Sequence, residues 1–405
     1  MTLNYQKKGE IRSLTGLRGL AVLLVIIGHY SYWTSVVPLA EIPAWLTQRT
    51  GTARIGMAMF FTLSGYVIAL SYSHWNWRAR PGFNLTRLFF YRFARLYPAF
   101  FVFAVMIVLR SPSLRDLSDP QVQSYLLSHF LLWQVWLPVK YQGALADVDL
   151  FHISWSLSTE CALYLLFGLG AILAAVLPGG RHKPVVLAGI FVLSACLLLR
   201  AAWLMRHDIA PAGWSEADWD RWLFYISPYA VSLQFGLGVV AYRISRLSFL
   251  EKLAKIASDL GAAALIAVYF LITTSKVSDY FYVGMLASLA TALLMIGALS
   301  DSVANRVLSG RAIVYIGTIS YSLYLFHFLT PAFGFHGPLQ TFDLTAAAYF
   351  ALNFVVVLAF AIMLAAGVYM LVEVPGRRAI RAAADRLLGL PRAAPLESEQ
   401  GAPAE

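Results

Sequence analysis

Residues 346–372, AAAYFALNFVVVLAFAIMLAAGVYMLV, carry no charge at any of 27 positions. A run of that length crosses the hydrocarbon core of a bilayer as a helix, and in lipid only helices or closed barrels satisfy every backbone polar group. Comparable runs recur along the chain. They are continuous rather than alternating, which argues against a barrel. With 59% apolar and 13% charged residues and a mean hydropathy of +0.67, the chain reads as an all-α polytopic membrane protein. Ten transmembrane spans are predicted, at 14–34, 54–72, 88–109, 154–177, 184–204, 224–241, 257–273, 281–300, 313–333 and 346–372. The apolar segment 123–137 is short and ends at Pro138, so it is expected to be interfacial or re-entrant.

Basic residues set the expected orientation. With the N-terminus inside, the inner segments hold 22 of the 31 Lys and Arg and the outer ones 9, so both termini are expected to be cytoplasmic. The net charge of +10 then serves membrane anchoring and anionic ligands at the surface, and no nucleic-acid partner is expected. Residues 1–386 are expected to form one transmembrane domain. The Ala-, Pro- and Glu-rich stretch 387–405 is expected to be a disordered tail, with no soluble domain fused. Cys161 and Cys196 fall in apolar runs and are expected as packed thiols. No histidine or cysteine spacing suggests a metal site.

An ionisable group at a helix centre costs roughly 2.5–3.5 kcal/mol, so each one needs a partner or a wet cavity. The stretch RGLAVLLVIIGH puts Arg18 and His29 eleven positions apart, on nearly one helical face and roughly 16 Å apart along the axis. Placed by depth, Arg18, Arg92 and Arg95 form a cationic group towards the cytoplasm. His29, Glu160 and His327 form a second group from mid-membrane outward, with Ser64, Tyr66 and Trp155 nearby. Arg92 and Arg95 are either plain anchors or, at i, i+3, two forks on one anion. His29 and His327 are either hydrogen-bonded core histidines or bases. Glu160 needs a partner, and orienting His29 or His327 would supply one. Ser64 with Gly65 also suits close helix packing, and Trp155 an interfacial belt. Glu373, beside Arg377 and Arg378, is expected in a salt bridge at the inner mouth.

Five motifs in order resemble the acyltransferase-3 family of integral membrane O-acyltransferases: Arg18-x10-His29, FFTLSGY (60–66), RFARLYP (92–98), SWSLSTE (154–160) and SLYLFH (322–327). Glu373-x-Pro375 fits as well. The resemblance implies transfer of an acyl group, expected to be acetyl, from cytoplasmic acyl-CoA to a hydroxyl of an extracytoplasmic glycan or glycolipid, such as a surface polysaccharide or lipopolysaccharide. It implies the bacterial inner membrane as location. Arg18 and His29 match the family's paired motif, Arg92 and Arg95 its Arg-x-x-Arg, and Glu160 the acid of its Trp-Ser-Leu motif. His29 and Glu160 are therefore the expected catalytic pair. Arg18, Arg92 and Arg95 are expected to hold acyl-CoA, whose phosphates suit guanidinium forks. Ser64, Tyr66, Trp155 and His327 are expected to line the substrate cavity. His29 is read either as general base or as transient acyl carrier. The competing reading is a proton-coupled transporter or flippase for an anionic solute, which also needs buried Arg, His and Glu.

Overall fold

The computed structural model describes residues 11–33, 50–138, 149–177, 195–211, 213–274, 279–330 and 345–390. Among them, all regular structure is helical. Seven stretches are long and apolar enough to cross a membrane: Arg12–Tyr30, Gly51–Tyr72, Pro81–Arg110, Ile153–Val176, Glu216–Ser245, Glu251–Ile272 and Phe350–Leu387. An eighth, Arg311–Thr318 with Ser320–Leu329, is bent by 62°. The two other predicted spans are represented by shorter helices, Ala195–Leu204 and Tyr280–Ile296. Positions 184–194 of the former lie outside the described residues, as do 391–405 of the expected tail. The ten-span expectation is thus revised to seven full-length helices, eight with the bent pair.

In chain order, α1 (Arg12–Trp33) and α2 (Thr50–Tyr72) pack along each other, followed by α3 (Pro81–Arg110) and the short α4 (Pro120–Phe130). Then come α5 (Asp149–Val176), α6 (Ala195–Leu204), α7 (Glu216–Arg221) and α8 (Pro228–Ser245). Next are α9 (Glu251–Thr274), α10 (Tyr280–Ile296), α11 (Val303–Leu308), α12 (Arg311–Thr318) and α13 (Ser320–Phe326). α14 (Ala346–Val368) and α15 (Val374–Leu387) end the described chain. Two π-helical turns interrupt the ladder, Trp222–Ile226 and Tyr369–Glu373. Each is followed within two residues by a proline, Pro228 or Pro375. A proline has no N–H for the carbonyl four residues back, and its ring would strike it, so the widened turn relieves that clash. Pro98 lies inside α3, with Gly376 of α15 close against its ring; a Cβ at Gly376 would come within 2.6 Å of Pro98 Cβ.

Small residues set how closely these helices approach. A Cβ at Gly65 would lie 2.0 Å from the Phe235 carbonyl oxygen, and one at Gly238 1.8 Å from that of Thr62. The α2–α8 contact is therefore backbone to backbone, the arrangement that stabilises helix pairs in lipid where apolar burial gives no driving force. Gly238→Val is expected to destabilise the fold by about 3 kcal/mol or more, since overpacking forces the helices apart. Thermal unfolding of purified variant in detergent measures this, and an unchanged midpoint would remove the tight-packing account.

The segment 123–137 is the 11-residue α4, capped by the Asp119 carboxylate on the Gln121 N–H, and then a turn with Leu132 at φ 57°. Its last residues are tied down by neighbours. Trp136 Nε1 donates to the Ser158 carbonyl at 3.2 Å, and Tyr229 donates its hydroxyl proton to the Trp136 carbonyl at 2.8 Å. On α4, His129 is fully buried, stacked on Tyr125, with Nδ1 2.7 Å from the Tyr125 carbonyl. Burial pushes its imidazolium down to about 4 from an ordinary 6.5. Below pH 6.5 the unfolded chain binds a proton that the folded chain refuses until about pH 4. Stability is therefore complete above pH 6.5 and falls by about 3 kcal/mol as pH drops to 4. His129→Gln is expected to flatten the thermal midpoint across that window relative to wild type; parallel pH profiles would refute the assignment.

Cys161 is half-buried, but Cys196 is exposed on α6 rather than packed, and both are free thiols. The apolar run containing Cys196 signals a helix in lipid, and a lipid-facing position needs no protein neighbour.

Candidate active site

Helices α1, α2, α3, α5 and α13 enclose a cavity of about 720 Å³, its open mouth included. Each contributes a defined face. On α5, Ser156 and Glu160 stand four positions apart on one stripe, with Tyr164 a turn further on. On α3, Arg92, Arg95 and Leu96 share the inward face. Arg18 comes from α1, Ser64 from α2, and Ser320, Tyr321 and Tyr324 from α13. The remaining wall is apolar, formed chiefly by Met57, Phe60, Phe61, Leu63 and Val67 of α2.

Three guanidinium groups thus face one cavity with one carboxylate. Arg92 is 6% exposed, sandwiched between the rings of Tyr72 and Tyr164 at 5.0 and 5.3 Å, and interacts electrostatically with Glu160. Its Nε is buried without a hydrogen-bond partner among the described residues. Glu160 accepts hydrogen bonds on Oε1 from Ser64, at 3.1 Å, and from Tyr164. These contacts correct the expectation that Glu160 orients a histidine: its carboxylate is engaged on the arginine side. A second carboxylate supports this end. Glu373 is 3% exposed, accepts from Ser322 Oγ at 2.7 Å, and interacts with Arg95, Arg377 and Arg18. It faces inward, rather than forming a surface pair at the mouth.

The histidines meet each other. His29 Nδ1 lies 2.9 Å from His327 Nε2, and His327 Nδ1 lies 2.6 Å from the Tyr324 carbonyl oxygen. The rings are within 3° of parallel with centroids 5.2 Å apart, close to the bond length plus two ring radii, so they meet edge to edge in one plane. Phe328 presents its ring at right angles to both, 6.3 Å away. His29 is half-buried at the far end of α1 from Arg18, and His327 is 1% exposed.

Tyr324 joins the two regions. Its hydroxyl bonds Ser156 Oγ at 2.8 Å inside the cavity, while its carbonyl holds His327. Neither Tyr324 nor Ser156 was singled out from sequence. The signal available was the position of Tyr324 one turn before His327 in SLYLFH, and of Ser156 one turn before Glu160.

Two of the expected cavity residues point elsewhere. Tyr66 is 2% exposed, packs edge-on against Tyr242 and hydrogen-bonds Ser245 at 3.1 Å in the α2–α8 interface. Trp155 is buried against Phe61 and Tyr225. Neither lines the cavity, nor does His327, which sits behind Tyr324. Ser64 does line it, while Gly65 beside it makes the helix contact, a split that follows from the 100° turn between neighbours.

A family model described as an acyltransferase domain matches residues 11–369. Over 340 residues the chain is 29% identical to the acyltransferase MdmB of Streptomyces mycarofaciens, covering 80% of each chain. It is 26% identical over 341 residues to the peptidoglycan O-acetyltransferase OatA of Listeria monocytogenes, a match that takes 81% of this chain and 50% of that protein's length.

Proposed function

The chain belongs to the acyltransferase-3 family of multi-pass membrane proteins, and from that premise we propose how this membrane O-acyltransferase works: it takes an acyl group, by preference acetyl, from cytoplasmic acyl-CoA and delivers it to a hydroxyl of an extracytoplasmic glycan or glycolipid, in the bacterial inner membrane. The observation that carries this reading is the cavity in which Arg18, Arg92 and Arg95 face one carboxylate. That excess of positive charge suits the phosphates of coenzyme A, which guanidinium groups bind through paired N–H donors. The buried, unpartnered Nε of Arg92 is a further donor awaiting an acceptor. The apolar wall of α2 suits a neutral pantetheine arm and its thioester.

At the other end, His29 is the general base. Its ring takes the proton of the acceptor hydroxyl as the oxygen attacks the acyl carbonyl carbon. The carbon–sulfur bond breaks, and the proton then passes to the leaving thiolate. Glu160 has the separate task of balancing Arg92 and holding it in place through Ser64 and Tyr164. The transport reading has no observation of its own in its favour.

Inside-out vesicles carrying the protein, supplied with acetyl-CoA labelled in the acetyl group, test this directly. The expected result is label loss from acetyl-CoA and its appearance on lumenal glycan or in solvent, absent from vesicles without the protein. Vesicles that neither bind nor consume acyl-CoA would remove the donor assignment.

A further inference from the structure

We propose that His327, not a carboxylate, is the positioning residue of His29: it fixes which nitrogen of His29 is basic and receives the hydrogen bond of the imidazolium formed during transfer. The proposal rests on the reading of His29 as base. Its first support is the polarity of the hydrogen-bond chain. A carbonyl oxygen can only accept, so His327 Nδ1 carries a proton directed at Tyr324 O. With both rings neutral, His327 Nε2 is then an acceptor, and the 2.9 Å contact must be donated by His29 Nδ1. The proton of His29 therefore sits on Nδ1 and its basic lone pair on Nε2. A main-chain oxygen 3 residues before His327 thus sets the tautomer of a ring 298 positions away in sequence.

The second support is rigidity. His327 opens the 3-10 turn His327–Leu329, and Thr330 Oγ1 donates back to the His327 carbonyl at 2.6 Å. Phe328 stands edge-on to both imidazoles. The common ring plane aligns the Nδ1–H of His29 with the Nε2 lone pair of His327. The third is the engagement of the only other candidate: Glu160 is bound to Ser64 and Tyr164 beside Arg92.

The step balances without His327 changing its protonation. The acceptor O–H bond breaks and a proton joins His29 Nε2, as the oxygen–acyl bond forms and the carbon–sulfur bond breaks. The imidazolium donates from Nδ1 to neutral His327, a charge-assisted hydrogen bond stronger than that of the resting pair. The proton on Nε2 then passes to the thiolate.

Two experiments on the full chain test this. The first is 15N NMR of histidine-labelled protein in lipid, with His29→Asn and His327→Gln used only to assign signals. Both residues are expected to show a pyrrole-type Nδ1 and a pyridine-type Nε2; a pyridine-type Nδ1 at His29 overturns the proposal whatever the activity. The second compares His327→Leu, which removes the acceptor, with His327→Gln, whose amide oxygen can replace it. Leucine is expected to lower kcat about 100-fold or more with the donor KM little changed, and glutamine to return it to within about tenfold of wild type. Wild-type kcat in the leucine variant, or equal losses in both together with a lowered thermal midpoint, overturns the positioning role. A wild-type protein that turns over no acyl donor would instead sink the acyl-transfer reading, and the NMR result would stand apart from it.

Discussion

His29→Ala is expected to lower acyl transfer by about 10²–10⁴-fold, the usual contribution of a positioned general base. Binding of acetyl-CoA is expected to survive, because His29 is not among the residues facing the arginine-lined cavity. The two effects separate cleanly. The variant should bind labelled acetyl-CoA with wild-type affinity, measured by filtration or calorimetry in detergent, while release of CoA falls to background. A variant that turns over donor at the wild-type rate would show that the base lies elsewhere. One that cannot bind donor would show that the histidine end belongs to the donor site.

Arg92→Met is expected to act on both stability and donor binding. Arg92 is almost fully buried, and its charge is matched to Glu160. Removing it strands the carboxylate, at a cost of about 3 kcal/mol, the lower end for a broken buried pair because Glu160 is itself half-buried. The double variant Arg92→Met, Glu160→Gln removes both charges and should recover most of the thermal midpoint, since the stranded carboxylate is gone. Donor affinity should stay low in both. Recovery of acetyl-CoA binding in the double variant would mean that Arg92 serves the fold alone.

The depth of each polar group was legible in the sequence; its direction was less so. Counting 100° per residue puts Arg18 and His29 on one face and Arg92 with Arg95 on another, and the three arginines do share a cavity. Periodicity within one helix says nothing about which neighbour it meets. The assignment of Glu160 to a histidine failed for that reason: its azimuth on α5 faces Ser64 and Arg92, and the partner of His29 came from α13's end instead. Tyr66 was misplaced by the same gap, since its stretch FFTLSGY serves two faces, the cavity through Ser64 and α8 through Gly65 and Tyr66. The bend between α12 and α13 left no proline to mark it, so residues 313–333 read as one straight span. Span lengths were overestimated at α6 and α10 because hydropathy registers apolar content and cannot see where a helix stops.

The hydrogen bond from His327 ends on the main chain at Tyr324 rather than on a side chain. No codon change at position 324 can delete that acceptor, because every amino acid carries the same carbonyl. A side-chain scan would therefore report the hydroxyl's bond to Ser156 and stay blind to the orienting contact. Residue 324 is free to diverge between relatives that use different substrates while the tautomer at His29 is preserved by helix geometry alone.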